Sequence, residues 1–162
     1  MAIDVVWFKR DLRIRDHAPL LAAAASGRPI LCLMLLEPLR IKQPDVDPIH
    51  LQWELDVAER LDRDLRRRGG ALHVVHADAV EALSSLHDKH AVHTVHAHEE
   101  TGVQWSYDRD KDVASWCMEN GVGFVEHPNN GVIRRLQDRD GWKDARDARA
   151  VSYTHLTLPT IE

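Results

Sequence analysis

The chain has 162 residues, of which 44% are hydrophobic and 29% are charged, and its formal net charge is −5. This length fits one globular domain with its own core, and no apolar run approaches the ~20 residues that a membrane-spanning helix needs. The acidic balance argues against a broad phosphate-binding surface, because nonspecific affinity for nucleic acids comes mainly from clustered Lys and Arg. No signal peptide precedes the charged residues at positions 9 and 10, so we expect a cytoplasmic protein with no membrane partner.

Strand and helix patterns alternate through the first half of the chain. Residues 3–8 form an apolar strand, the Ala-rich stretch 18–26 predicts a helix, and residues 30–36 have the wholly apolar character of a central parallel strand. A loop with three prolines follows. Residues 49–68 then predict an amphipathic helix whose sheet-facing stripe is Leu51, Leu55, Ala58, Leu61 and Leu65. The opposite, solvent-facing side would carry Glu54, Asp56, Glu59 and Asp62.

The same alternation continues in the second half. Residues 72–76, 92–97 and 124–126 read as strands, with a helix capped by Asp78 after the first and a helix over 104–120 after the second. Short connections between such elements are typical of βαβ units. The sequence therefore predicts an α/β fold, a flavodoxin-like (Rossmann-like) doubly wound five-stranded parallel sheet.

A charged loop follows the first strand, at the end of the sheet where open α/β folds bind ligands. Its residues closely resemble the opening signature of the photolyase and cryptochrome family, through Phe8, Arg10, Asp11, Leu12, Arg13, Asp16 and His17. A second resemblance is the stretch HEETGVQWSYDRDKDVASWC at 98–117, followed by NNGVIRRLQDRDGW at 129–142. Together they extend over about residues 3 to 143.

The resemblance implies that residues 1–143 are the N-terminal α/β domain of such a protein, which can hold a light-harvesting antenna chromophore. In the complete enzyme a following helical domain binds FAD and splits cyclobutane pyrimidine dimers in damaged DNA under light. We expect this chain to end before that domain and to be inactive alone. Two alternatives stay open, namely a cryptochrome-like blue-light sensor and a stand-alone nucleotide- or flavin-binding module.

Family motifs also imply site residues. The antenna, a folate, deazaflavin or flavin, would be held by Arg10, Met34, Glu37, His50 and Glu100. Docking against the missing helical domain would use Asp11, Arg13 and Asp16. The eleven histidines are scattered over different elements, so we expect no metal site.

The end of the chain departs from this pattern. Residues 144–162 are predicted to be a disordered tail. The last twelve, VSYTHLTLPTIE at 151–162, resemble a translated sequencing-adapter artefact.

Deleting residues 151–162 should leave the thermal midpoint unchanged, because Leu156, Leu158 and Ile161 have no predicted element to pack against. Calorimetry of the full and shortened chains in one buffer checks this. A fall of more than about 3 °C, equivalent to ~1 kcal/mol in a domain of this size, would show that the tail contributes to the fold.

Overall fold

The computed structural model describes residues 1–128, 138 and 140–147. Its elements are β1 Ile3–Phe8, α1 Ala18–Ala25, β2 Ile30–Leu35, α2 Pro38–Ile41, α3 Pro48–Arg66, β3 Leu72–Val75, α4 Ala79–His90, β4 Val92–His98, α5 Gln104–Glu119 and β5 Gly123–His127. Within the described ranges, no helix is both long enough and apolar enough to cross a membrane.

The five strands form one parallel sheet in the order β3-β2-β1-β4-β5. The predicted five-stranded Rossmann-like sheet is thus confirmed. Its strand order is that of the Rossmann fold, whereas flavodoxin-like sheets follow the order 2-1-3-4-5. The chain moves outward from β1 through β2 to β3 and then returns to the other side of β1, so the topological switch point lies between β1 and β4.

Helices cover both faces of the sheet. Alternate side chains of β1 accordingly belong to two different core layers. Val5 and Trp7 belong to one core layer, which also contains residues of α4 and α5. Val6 and Phe8 belong to the other layer, with residues of α1 and α3. All four β1 side chains are at most 1% exposed, as expected for the central strand of a doubly wound sheet.

Helix α3 is rotated relative to the predicted stripe. Its buried residues are Glu54, Ala58, Leu61 and Leu65, whereas Leu55 is 37% exposed. The prediction that Glu54 faces water was therefore wrong. The reason is Arg40, which lies on the short helix α2 inside the predicted loop and donates to Glu54 through both of its terminal nitrogens, one of them at 2.8 Å from Oε2.

The chain divides into two compact units, Met1–His127 and Pro128–Glu162. In the second unit residues 142–147 are helical, and the Ala145 N–H donates to the Gly141 carbonyl at 3.2 Å. Four residues of the predicted tail, 144–147, thus belong to a helix. The predicted artefact at 151–162 lies outside the described residues, as do positions 148–150.

The buried Arg40–Glu54 pair gives a stability prediction. Glu54→Leu alone leaves a buried guanidinium without its partner and should lower the free energy of unfolding by about 3–5 kcal/mol. The double variant Arg40→Met, Glu54→Leu removes both charges and should recover most of that loss. Urea unfolding gives the free energy of unfolding of both variants. Equal decreases in the two variants would show that the unpaired guanidinium is not the cause of the destabilisation.

Candidate functional site

Charged side chains follow three neighbouring strands at the carboxyl edge of the sheet. Lys9 follows β1 directly, Glu37 comes just after β2, and Glu100 comes just after β4. Parallel strands place their carboxyl ends at one edge, and the switch point between β1 and β4 opens a crevice there. The fold therefore brings together three ionisable side chains that are far apart in sequence.

Arg109, from the second turn of α5, joins these strand ends. Its guanidinium lies 2.7 Å from Glu37, 2.5 Å from Glu100 and 2.8 Å from Asp110, and its side chain is 9% exposed. Burial alone would lower the pKa of Arg109, but the three carboxylates raise it above its usual value. Arg109 is thus a permanent cation at the centre of this cluster.

Lys9 is a second buried cation in the same place. Its Nζ lies 3.0 Å from both carboxylate oxygens of Asp110 and 3.8 Å from Glu126. Burial lowers the pKa of Lys9, and the nearby Arg109 adds to this effect against the attraction of Asp110. For Asp110, burial would raise the pKa, but Lys9 and Arg109 outweigh it and the pKa falls.

Two tryptophans border the cluster. The Trp7 ring has Lys9 Nζ at 4.6 Å and the Arg109 guanidinium at 4.7 Å from its centroid. The same guanidinium lies 5.1 Å from the Trp105 ring. Cations at such distances over an indole face are attracted by its quadrupole, and more strongly where water is excluded.

A cleft of about 390 Å³ opens beside this cluster. Trp105, Arg109 and Glu37 form one part of its wall, and the remaining lining residues are Leu39, Asp78, Ala79, Val80, Asp108 and Asp112. Glu37 and Arg109 also line a much smaller cavity of about 10 Å³ that Arg10 and Glu100 share. The buried ions therefore form a wall of a space large enough for an aromatic ring system.

Three of the five predicted antenna residues come together here. Arg10 Nε lies 2.8 Å from Glu100 Oε1, and Arg109 links Glu100 to Glu37. Met34 is 1% exposed in the core layer on the α1 and α3 side, whereas the cleft lies on the α4 and α5 side. His50 is exposed in the first turn of α3, where it completes a capping box with Asp47.

The predicted docking residues lie in different surroundings. Asp11 is buried, with its Oδ2 at 2.5 Å from His98 Nδ1 and 2.7 Å from His17 Nε2. Burial would raise the pKa of this carboxyl, but its hydrogen bonds to the two histidines hold it well below its usual range. Arg13 and Asp16 are exposed, and the Arg13 guanidinium donates to the Asp16 carbonyl at 3.1 Å. For all three residues, docking remains a prediction.

Asp11, His17 and His98 also present three converging ligand atoms. A tetrahedral zinc ion with bonds near 2.0–2.1 Å holds its ligand atoms about 3.3 Å apart. The observed separations are shorter: 2.5 Å for the hydrogen bond between His98 and Asp11, and 2.7 Å for the close contact between His17 and Asp11. The cluster is therefore a buried triad of polar contacts that fixes the loop after β1.

Sequence reasoning missed Arg109 and Asp110, although both lie in the stretch 98–117 that resembles the family. The signal lay in helical spacing, because Ser106, Asp110, Val113 and Cys117 recur at steps of three or four and are all buried. A carboxylate on the buried stripe of a helix needs a buried cation. Lys9 at the end of β1 was the candidate for that cation.

Fold and site together define a doubly wound α/β domain with a cleft at the carboxyl edge of its sheet. A family model for DNA photolyase matches residues 4–145. The chain therefore belongs to the DNA photolyase family, as the resemblance of its loop sequences predicted.

Individual relatives agree. The chain is 39% identical over 71 residues to a deoxyribodipyrimidine photo-lyase of Thermus thermophilus, a match over 44% of this chain and 16% of that protein. A cryptochrome structure from Synechocystis sp. PCC6803 superposes with a TM-score of 0.78 at 17% identity, over 93% of this chain and 34% of that one. An archaeal photolyase structure from Sulfolobus tokodaii superposes with a TM-score of 0.72 at 21% identity, over 89% of this chain and 34% of that one. The chain thus spans about a third or less of the length of these relatives.

The Asp11 triad predicts how stability depends on pH. Since the pKa of Asp11 is lowered by folding, its contribution to stability is present above about pH 4 and is lost as pH falls toward the folded-state pKa. Asp11→Asn should therefore be less stable than the wild type at pH 6, and the difference should shrink at pH 3. Urea midpoints at both pH values test this, with Asp16→Asn as an exposed control in the same loop. A difference that stays constant would contradict the assignment.

Proposed function

We propose that this chain is the light-harvesting domain of a light-dependent DNA repair photolyase and that the 390 Å³ cleft holds its antenna chromophore. The bound chromophore would absorb light and pass the excitation to reduced FAD in a helical domain of the complete protein. That FAD would then split pyrimidine dimers in damaged DNA. Family membership supports the class of activity, and the cleft supports the antenna role.

The observation that carries the proposal is the set of side chains around the cleft. Trp105 offers an aromatic face, and Leu39, Ala79 and Val80 offer apolar surface. Glu37 and Arg109 supply hydrogen-bonding groups that the buried ion pairs hold in place. Heteroaromatic rings with N–H and C=O groups at their edge fit such a lining. Flavin, deazaflavin and folate all have such a ring.

Glu37 can contribute a hydrogen-bond acceptor to the edge of a bound ring. Burial raises the pKa of its carboxyl despite the ion pair with Arg109, and the neighbouring Glu100 and Asp110 add to the rise. Arg109 nevertheless pairs with this group as a carboxylate, at 2.7 Å from Oε2. The oxygens of Glu37 can therefore accept from a ring N–H.

Charge around the cleft favours a ring over a phosphate. Among the described lining residues Arg109 is the one cation, whereas four carry carboxyl groups: Glu37, Asp78, Asp108 and Asp112. Like charges at close range repel, so a phosphorylated tail would lie outside. The Sulfolobus tokodaii relative contains two FAD molecules and is described as implying a novel light-harvesting cofactor, which supports a flavin among the candidates.

We place the protein in the cytoplasm. Cys32 and Cys117 are both free and buried, and burial raises the pKa of each thiol to about 11. Such thiols are unreactive and suit a reducing compartment.

Titration with riboflavin, FMN and a folate tests the cleft. Trp105→Ala removes the aromatic face and should weaken binding of the ring about tenfold, since stacking of this kind contributes ~1–3 kcal/mol. Riboflavin should bind at least as tightly as FMN. Flavin fluorescence quenching provides the measurement.

Trp53→Ala is the matched control, because Trp53 is 63% exposed on α3 and does not line the cleft. It should bind all three ligands like the wild type. Equal weakening by both substitutions, or no binding by the wild type, would refute the cleft as the antenna site.

A further inference from the structure

A second groove, of about 560 Å³, lies between the loop after β1 and the outer side of α3. Arginines dominate its lining: Arg13, Arg15, Arg60, Arg67 and Arg68. All five are exposed, and Asp64 is the one carboxylate among the described lining residues. The groove is thus strongly basic in a protein whose net charge is −5.

The structure leaves part of this positive charge uncompensated. Asp64 already pairs with Arg67 at 3.0 Å, and its backbone carbonyl accepts from Arg68 at 3.0 Å. The side chains of Arg15 and Arg60 form no hydrogen bond or ion pair with any residue in the described part of the chain. The arginines at the carboxyl end of α3 also complement the helix dipole, but Arg15 lies on the loop and Arg60 in the middle of the helix, so capping does not account for them.

Beneath the arginines the groove is apolar, formed by the half-buried Leu12, Ile14 and Val57 and the buried Leu61. Long side chains can rest their aliphatic stems on such a surface while the charged heads stay in water. No aromatic side chain occurs among the described lining residues, so the groove offers no platform for stacking bases. This chemistry suits a polyanion that is contacted through its phosphates and not through its bases.

We propose that this groove is an additional binding site for the phosphate backbone of duplex DNA. The proposal rests on the proposed function in one respect, that the complete protein works on DNA. It goes beyond it because repair is assigned to the helical domain, whereas this groove belongs to the α/β domain. The groove lies on the α3 side of the sheet and the chromophore cleft on the α4 and α5 side, so the two sites are separate.

Salt dependence of binding distinguishes phosphate contacts from other interactions. The logarithm of the binding constant falls with the logarithm of salt concentration by ~0.9 for each neutralised phosphate of a duplex. Arg15→Gln combined with Arg60→Gln removes two such contacts and should reduce the slope by ~1.8. Neither substitution breaks an ion pair between described residues, so the fold should be retained.

The test uses the whole 162-residue chain and a fluorescent duplex oligonucleotide, with anisotropy recorded from 20 to 200 mM salt at about five concentrations. A matched control is Lys42→Gln combined with Lys89→Gln, which removes the same charge from two exposed positions outside the groove. The wild type and the control should share one slope, and the groove variant should be shallower. Far-ultraviolet circular dichroism confirms that each variant is folded.

Three results would overturn the proposal. The wild type could fail to bind the duplex at about 20 mM salt, or the groove and control variants could show equal salt slopes. Equal affinity for pyrophosphate and the duplex would indicate a small-anion site.

Riboflavin titration of the same variants separates this proposal from the antenna proposal. The groove variant should retain flavin binding, since Arg15 and Arg60 lie outside the cleft. Loss of both activities in that variant would indicate a folding defect and would also count against the groove.

Discussion

The guanidinium of Arg109 is the constraint on which the site depends. Buried ions are costly, and they persist only where partners converge with good geometry. Arg109 meets that condition because the residues after β2 and β4 supply Glu37 and Glu100, and its own helix supplies Asp110. Asp110 in turn holds Lys9 after β1. One network therefore ties α5 to three strand ends and fixes the wall of the cleft.

The two faces of the sheet differ in chemistry because of the helices that cover them. On the α4 and α5 side the cleft is rich in carboxylates, and the cation in its wall is the buried Arg109. On the α3 side the groove is rich in exposed arginines. A net charge of −5 averages over both and hides the difference. Electrostatic arguments from composition therefore hold for the whole molecule, whereas binding depends on the local field.

Sequence patterns predicted the strands and the long helices because burial on both faces makes the central parallel strands short apolar runs and burial on one face gives helices a period of 3.6 residues. They could not give the strand order, since β3 and β4 can add at either edge without changing those patterns. They also placed Glu54 in water and overlooked Asp110, because a charged residue reads as exposed until its partner is known. The partner of Glu54 is Arg40 on the preceding helix α2, and the partner of Asp110 is Lys9, which is 101 residues away in sequence. Buried ion pairs are thus the feature that single-residue reasoning misses.

The loop after β1 links these findings. Its first residue, Lys9, belongs to the Arg109 network, and its third, Asp11, is held by His17 and His98. The Lys9 N–H also donates to Asp11 at 2.9 Å, so the two buried anchors are joined directly. Arg13 and Arg15 follow within the same loop and form part of the groove lining. Lys9 and Asp11 are both buried, so their contacts hold the start of the loop in place at the carboxyl edge of the sheet. The same contacts therefore position Arg13 and Arg15, which follow in the loop, at the groove.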